Sequence, residues 1–515
     1  MKIYLLAYLF VLVYCAPLNA QDTPTPTPQW RPVYHFTPLK NWTNDPNGLL
    51  YVNGVYHLYN QQNPFENKWG HMSWGHATSK DLIHWTHLPV AIPETIDKDT
   101  TWRFSGCAVL DKNNTGGFGK DGHTMVAIYT ADQPNLKKES QFIAYSNDGG
   151  ITFTNYVNNP VIDLGRKDFR DPNVAWNEQL QKWLMVVALP TEHKVNFYTS
   201  ANLKNWDLLS EFGSQGFTGA AWECPSFIQL PVNDDTKTKW VLFVSAAGGN
   251  RGTFMQYFTG DFDGKTFTND NKPETVLTVD DGDCLYAAIP WNDAPGNKKT
   301  LIGWMVPDRQ YTFPWRGQMS IPRDLGLVKT TKGLRLTQSP ASMITINLNS
   351  LAHKETIDLS GKNINGEETI LKDNQPAVGN CWWLDAVFII KAGTTVGFKI
   401  AQETEAHTRK IFETIAGYNS FNGMLYVDKS ASRNILANKQ KINQVMASAG
   451  KDSTVRMQIL LDKSSVEVFF NNGEKVITTH IFPGEHSTGL SVFSSGGTVT
   501  LTSFKLWKFS QLAGK

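Results

Sequence analysis

Cysteine is scarce in this chain, with five in 515 residues. Four of them, Cys107, Cys224, Cys284 and Cys381, lie beyond the N-terminal apolar run and form no CxxC pair. That scatter implies neither a zinc site nor a dense disulfide framework, although one bridge is compatible with an exported protein. Charge is sparse as well. Asp, Glu, Lys and Arg make up 18% of the residues, below the rough quarter usual in soluble proteins, and the formal net charge is +1. Such a balance gives no pull toward nucleic acid or an anionic membrane. Long amphipathic helical patterns are nearly absent, which turns the reading toward strands. After residues 3–15 no apolar run is long enough for a membrane span.

What is present begins with export. Residues 1–20 read as a signal peptide: Lys2 gives a short positive end, an apolar run follows, and Ala20 is a small residue at the cleavage point. Residues 21–29, with their Thr-Pro repeats, read as an extended leader. The expected location is secreted, periplasmic or cell-surface. A lipid anchor on Cys15 is the weaker alternative, because Tyr14 is bulky for the position before a lipidated cysteine.

A four-times-repeated pattern organises the next three hundred residues. A Ser or Thr, then a turn-forming Asp or Asn, then an aromatic recurs at Ser79–Trp85, Ser146–Phe153, Ser200–Trp206 and Thr259–Phe267. The aromatics are about 50 to 70 residues apart, which suits propeller blades of four strands with long loops. Asn53-Gly54 between two apolar runs signals a tight hairpin. The fold class expected is all-β, with a propeller over residues 30–340. Past a linker at 341–351, short alternating strands such as Val455, Met457, Ile459 and Leu461 suggest a β-sandwich over 352–515. The 17 tryptophans serve either core packing or sugar binding, since flat apolar rings match sugar faces.

Three acidic motifs carry the chemistry: Asn44-Asp45-Pro46-Asn47-Gly48, Arg170-Asp171-Pro172 and Trp222-Glu223-Cys224-Pro225. Taken singly, each reads as a turn, an ion pair or a surface acid. Together they fall at strands of different blades, and inner strands converge on one channel. Two carboxyl groups about 5 Å apart are what a retaining glycosidase needs. Asp45, in a polar turn, is expected to stay ionised as nucleophile. Glu223, flanked by Trp and Cys, is expected to keep its proton and serve as the acid. His71, His76, His84 and His87 lack the spacing of a metal site, so they are read as structural or substrate-contacting, and Cys224 and Cys284 as packing.

At this point the motifs resemble glycoside hydrolase family 32, the family of invertases, inulinases and levanases. The resemblance extends through Trp69-Gly-His-Met-Ser-Trp-Gly-His-Ala77, Phe104-Ser-Gly106, Ile302-Gly-Trp-Met305, the segment from Pro314 to Arg323, and Ser465-Val-Glu-Val-Phe469. It implies a five-bladed β-propeller joined to a β-sandwich, with retaining chemistry that uses no metal and no cofactor. It makes Asp45 the nucleophile, Asp171 the transition-state stabiliser and Glu223 the acid/base. It places Asn44, Gln61, Trp69, Ser105 and Arg170 around a fructose subsite, Phe104 and Trp315 near it, and Tyr286 in another pocket segment. The implied substrate is a fructan or another fructose-containing sugar. Hydrolysis and fructosyl transfer share one intermediate and differ in acceptor-site shape and water access. A non-catalytic fructan-binding protein is the remaining class, and three intact carboxylates argue against it. Thr43, Asn60, Gln62, Asn173, Ser226 and the Asp280–Leu285 segment depart from the family pattern. These changes point to the leaving-group side, where sucrose, inulin and levan are told apart.

Overall fold

The chain was analysed as a computed structural model that describes residues 27–509, apart from 97–99, 120–121, 234–236, 248–252, 308–311, 374–380 and 435–440. The expected signal peptide and most of the leader lie outside the described residues. Blade 1 of the propeller runs outward through Asn41–Val52, Val55–Asn63, Ser73–Ser79 and Thr86–Ile92. Blades 2 to 5 repeat this meander from the inner strands Trp102–Leu110, Arg170–Asn177, Ala221–Pro231 and Leu285–Pro290. The architecture is a five-bladed β-propeller followed by a β-sandwich-like sheet.

The sequence repeat has a local cause. In blades 1 to 4 it forms the turn between the third and fourth strands. Asp81 Oδ1 accepts from the backbone of Ile83 and His84, and Asp148 Oδ1 from Ile151 and Thr152. Asn202 Oδ1 accepts from Lys204 and Asn205, and Asp263 Oδ1 from Lys265 and Thr266. In each turn a short polar side chain caps backbone N–H groups a few residues on, two and three in blades 1, 3 and 4 and three and four in blade 2. At Asn53-Gly54 both residues have positive φ, 51° and 82°, as a type I′ hairpin requires.

Blade packing explains the near-continuous apolar strands. In Lys182–Leu189, Met185 and Val187 pack with Val126 and Ile128 of blade 2. Leu184 and Val186, facing the other way, pack with Leu242 and Val244 of blade 4. A strand buried on both faces has no polar side to show.

In the sandwich the strand Gly489–Lys508 turns through Gly496 and Gly497, both at positive φ. Its first part pairs with Thr395–Thr404 and its second with Trp382–Ile389, so one strand serves two layers. Residues 341–351 form two short helices, Ser342–Ile346 and Leu348–Leu351. Their Ile344 and Leu348 join a shared core with Leu49, Trp291, Trp383, Phe469 and Trp507.

Charge is buried at the same junction. His35 lies between Asp462 (Nδ1–Oδ2 2.8 Å) and Glu467 (Nε2–Oε1 2.8 Å). Glu467 also accepts from the Ile321 backbone at 2.8 Å and from Arg323, which pairs with Asp280 at 2.9 Å. The Asp280–Leu285 segment docks here: the Asp281 N–H meets the Val476 carbonyl at 2.8 Å and the Thr478 N–H meets Asp280 at 2.9 Å. A Cβ on Gly282 would lie 1.9 Å from the Thr478 carbonyl oxygen, so only glycine fits.

Burial works against a charged His35, but hydrogen bonds and charges from Asp462 and Glu467 raise its pKa from 6.5 to about 9. Glu467 is held down from 4.5 to about 2: burial opposes this, and the Arg323 charge and the His35 hydrogen bond outweigh it. The raised histidine contributes stability fully below pH 6.5 and loses it as pH climbs through about 9. The depressed glutamate contributes above pH 4.5 and loses it toward pH 2. Thermal unfolding followed across pH is therefore expected to show a plateau between these limits and a fall on the alkaline side. A His35→Gln variant should lose the alkaline fall, and an unchanged profile in that variant would rule out the histidine as its source.

Candidate active site

Each inner strand breaks register with its neighbour near the same end of the propeller. The slips lie between Thr43 and Pro46, Arg103 and Gly106, Arg170 and Asn173, Glu223 and Ser226, and Tyr286 and Ile289. Such β-bulges re-aim side chains, and proline is tolerated there because no ladder hydrogen bond is required. Pro46, Pro172 and Pro225 occupy three of them. Asp171 and Cys224 take positive φ, 67° and 48°.

The bulges surround a cavity of about 560 Å³. It is lined by Asn44, Asp45, Gln61, Trp69, Phe104, Arg170, Asp171, Glu223 and Tyr286. Asp45 accepts from Ser105 Oγ at 2.6 Å and from Gln61 Nε2 at 3.3 Å, and Gln61 also donates to Ser105. Asn44 Oδ1 accepts from Trp42 Nε1 at 2.8 Å. Asp171 Oδ2 accepts from the backbone N–H of Cys224 at 2.8 Å. The Cys224 thiol touches both aspartates, 3.5 Å from Asp45 Oδ2 and 3.6 Å from Asp171 Oδ2. Glu223 accepts from Tyr286 Oη at 2.6 Å and from Arg170 Nη1 at 3.0 Å. The rest of the Arg170 fork is bound to Glu139 and Asp168, at 2.7 and 2.6 Å.

Electrostatics set these groups apart. Burial raises the Asp45 pKa; the Ser105 hydrogen bond opposes the rise and the Glu223 charge adds to it. Asp171 is pushed well above the usual carboxylate range by burial and then by the Glu223 charge, with Arg170 working against both. Burial and the three nearby carboxylates push the Cys224 thiol up, so it is a neutral donor. Burial opposes the charge on Arg170, but the Glu139 hydrogen bond and charge more than restore it.

The environments differ from those the flanking residues suggested. Asp45 is 9% exposed, whereas the Glu223 side chain is 25% exposed. Trp222 turns away into the core between blades 3 and 4. Trp222 precedes the register slip and points to the opposite face of the strand, so it does not report on the solvent around Glu223. Trp315 is also corrected. It does not line the cavity; it is buried, pairs in parallel with Asn41, and lies under the Arg31 guanidinium at 3.9 Å. Its strand, Trp315–Arg316, is added to the blade 1 sheet beside the inner strand Asn41–Val52. Thr43, Asn60, Gln62, Asn173 and Ser226 do not line the cavity either. Thr43 and Asn60 satisfy each other below it, at 2.7 Å.

Site assignment from sequence missed the outer wall: Trp102, Asp132, Lys137, Glu139, Lys167 and Asp168 all face the cavity, as does Trp304 of the quoted Ile302–Met305 segment. Several come from loops that join strands, where no periodic pattern marks them. The histidines are placed structurally: His76 stacks on Tyr59 and meets His57 at 3.1 Å, His84 caps its Asx turn through Asp81, and His87 stacks on Phe36. Among the described residues the four cysteines are buried and form no disulfide.

Carboxyl groups from separate blades of a propeller, facing one cavity with an aromatic wall, are the equipment of a glycoside hydrolase. The model of the glycosyl hydrolases family 32 N-terminal domain matches residues 35–340, and that of the family 32 C terminal matches residues 347–508. The chain belongs to glycosyl hydrolase family 32. It is 40% identical to a levanase of Bacillus subtilis (strain 168), over 99% of this chain and 75% of that one. It is 38% identical to an extracellular exo-inulinase of Aspergillus awamori, over 91% and 92%. A fructofuranosidase of Schwanniomyces occidentalis, solved with fructosylnystose, superposes with a TM-score of 0.84 at 31% identity, covering 95% of this chain and 99% of that one.

Proposed function

We propose that this glycoside hydrolase cleaves β-fructosidic bonds in fructans, levan or inulin, and in sucrose, by a retaining mechanism. The observation that carries this reading is the contrast between two carboxyl groups on one cavity. Asp45 is buried and held by Ser105 and Gln61, while Glu223 is open to the cavity and held by Tyr286 and Arg170. Asp45 attacks the anomeric carbon of the fructosyl unit while Glu223 protonates the departing oxygen. Glu223 then takes a proton from water, whose oxygen displaces Asp45 and releases fructose with its original configuration. Asp171 accepts hydrogen bonds from fructosyl hydroxyls, and those bonds strengthen as the ring flattens toward an oxocarbenium ion. Asn44, Gln61, Trp69, Phe104, Ser105, Arg170 and Tyr286 shape the subsite.

The names of the relatives and the bound fructosylnystose support a fructose-containing oligosaccharide as substrate. The signal-like segment at 1–20 and the extracellular relatives support export. Residues 30–340 are the catalytic unit, 341–351 the linker and 352–515 the sandwich. A product time course on sucrose, inulin and levan tests the reading. Fructose is expected from all three. Early oligosaccharides would make the enzyme endo-acting, longer products from sucrose would make it a transferase, and no product from any would overturn the proposal.

A further inference from the structure

An aromatic ridge leaves the cavity on one side. Trp69 and Trp102 line the mouth with their rings 5.3 Å apart, and Trp69 reaches inward to Phe104 at 6.0 Å. Outward, Trp102 meets His71 at 6.3 Å, and His71 meets Phe65 edge-on at 5.5 Å. His71 and Phe65 lie beyond the cavity lining. Trp69 is 50% exposed, and Phe65 is 62% exposed.

The exposure is held in place. Asn63 is fully buried; its Oδ1 accepts from the backbone of Phe65 and Glu66 at 2.9 and 3.1 Å, and its Nδ2 donates to the Lys68 carbonyl at 2.9 Å. The Trp42 N–H fixes the same loop through the Glu66 carbonyl at 3.1 Å. His71 is held upright by Glu94, Nδ1–Oε1 2.9 Å, whose side chain is buried. A loop that spends a buried asparagine on displaying a phenylalanine to solvent is a built surface. Contiguous exposed apolar surface of this kind marks binding.

We propose that the ridge from Trp69 through Trp102 and His71 to Phe65 is a distal subsite for the leaving portion of a fructan chain, and so favours polymer over sucrose. This rests on the reading of the cavity as a fructosyl site. The occupant follows from continuity: the ridge begins at the cavity mouth, and its rings offer flat apolar faces that match the C–H faces of sugar rings. The two rings of sucrose are taken up by the cavity itself. A longer chain leaves the mouth and meets the ridge. Stacking of this kind is indifferent to hydroxyl pattern, so levan and inulin are both accommodated.

The test uses the full chain with Phe65→Ala, and Phe65→Tyr as the conservative variant. With Phe65→Ala the KM for long-chain inulin and levan is expected to rise about tenfold, with kcat and the KM for sucrose unchanged. Phe65→Tyr should restore the polymer KM. Equal polymer KM in wild type and Phe65→Ala, or an equal shift on sucrose, would overturn the subsite. Binding is read separately from turnover by gel retardation of Asp45→Ala protein in inulin or levan. Retardation lost on adding Phe65→Ala supports the ridge even if the catalytic reading fails. Unchanged retardation overturns the ridge while leaving the catalytic reading intact.

Discussion

Asp45→Ala is expected to lower kcat on every fructosyl substrate by about 10⁴ to 10⁶, the scale on which removing a nucleophile acts. No other described group is placed to substitute. Asp171 Oδ2 is engaged by the Cys224 N–H, and the Cys224 thiol is kept neutral by burial and by the charges around it. The same substitution should leave the fold intact. Asp45 is a buried carboxylate whose ionised form is disfavoured by its surroundings and by Glu223, so its removal relieves repulsion. Gln61, which loses an acceptor, lines the cavity and can turn to water, and Ser105 keeps Gln61 as a partner. The expected result is a dead enzyme with a melting temperature equal to or above that of the parent. Near-normal turnover would remove Asp45 as nucleophile. Loss of turnover with a collapsed melting temperature would make it a structural residue.

Glu467→Ala should do the reverse, with the large effect on stability. Glu467 satisfies His35, the Ile321 N–H and Arg323 at once, in a place that water does not reach. Its removal leaves a buried guanidinium with one carboxylate partner and strands a backbone donor. Breaking one side of a buried ion pair costs about 3 to 5 kcal/mol, far more than any surface pair contributes. Glu467→Gln keeps an acceptor for Ile321 and should lose less. Urea denaturation of the three proteins measures the difference. A loss of under about 1 kcal/mol in Glu467→Ala would mean that the apolar contacts alone hold propeller and sandwich together.

Much of this was legible in the residues. The blade turns could be read because each is made by one side chain and its next few neighbours. The three carboxylates could be read together because their motifs fall at strands of different blades, whose inner strands converge on one channel. What was not legible depends on residues distant in sequence. The milieu of Glu223 is decided by Arg170 and Tyr286, not by Trp222 and Cys224. Trp315 looked like a site aromatic because its motif accompanies the site, yet an added edge strand carries it elsewhere. Thr43 and Asn60 looked like changes in specificity, but each is the other's hydrogen-bond partner beneath the floor. Glu467 is one charge in the apolar strand Ser465–Phe470, and its partners His35 and Arg323 lie far off in the chain.

The register slips have a consequence for how much chemistry a propeller can hold. A regular strand alternates, so only every second side chain reaches the axis. At a slip, two successive residues reach it together. Asn44 with Asp45, Phe104 with Ser105, Arg170 with Asp171, and Glu223 with Cys224 all face or border the same cavity. Of these eight, six line the cavity and the other two, Ser105 and Cys224, contact Asp45 directly behind it. The pairing of second with third strands, as between Lys182–Leu189 and Lys194–Ser200, keeps a continuous register, so the density of functional groups at the hub is reached without loosening the middle of the blade.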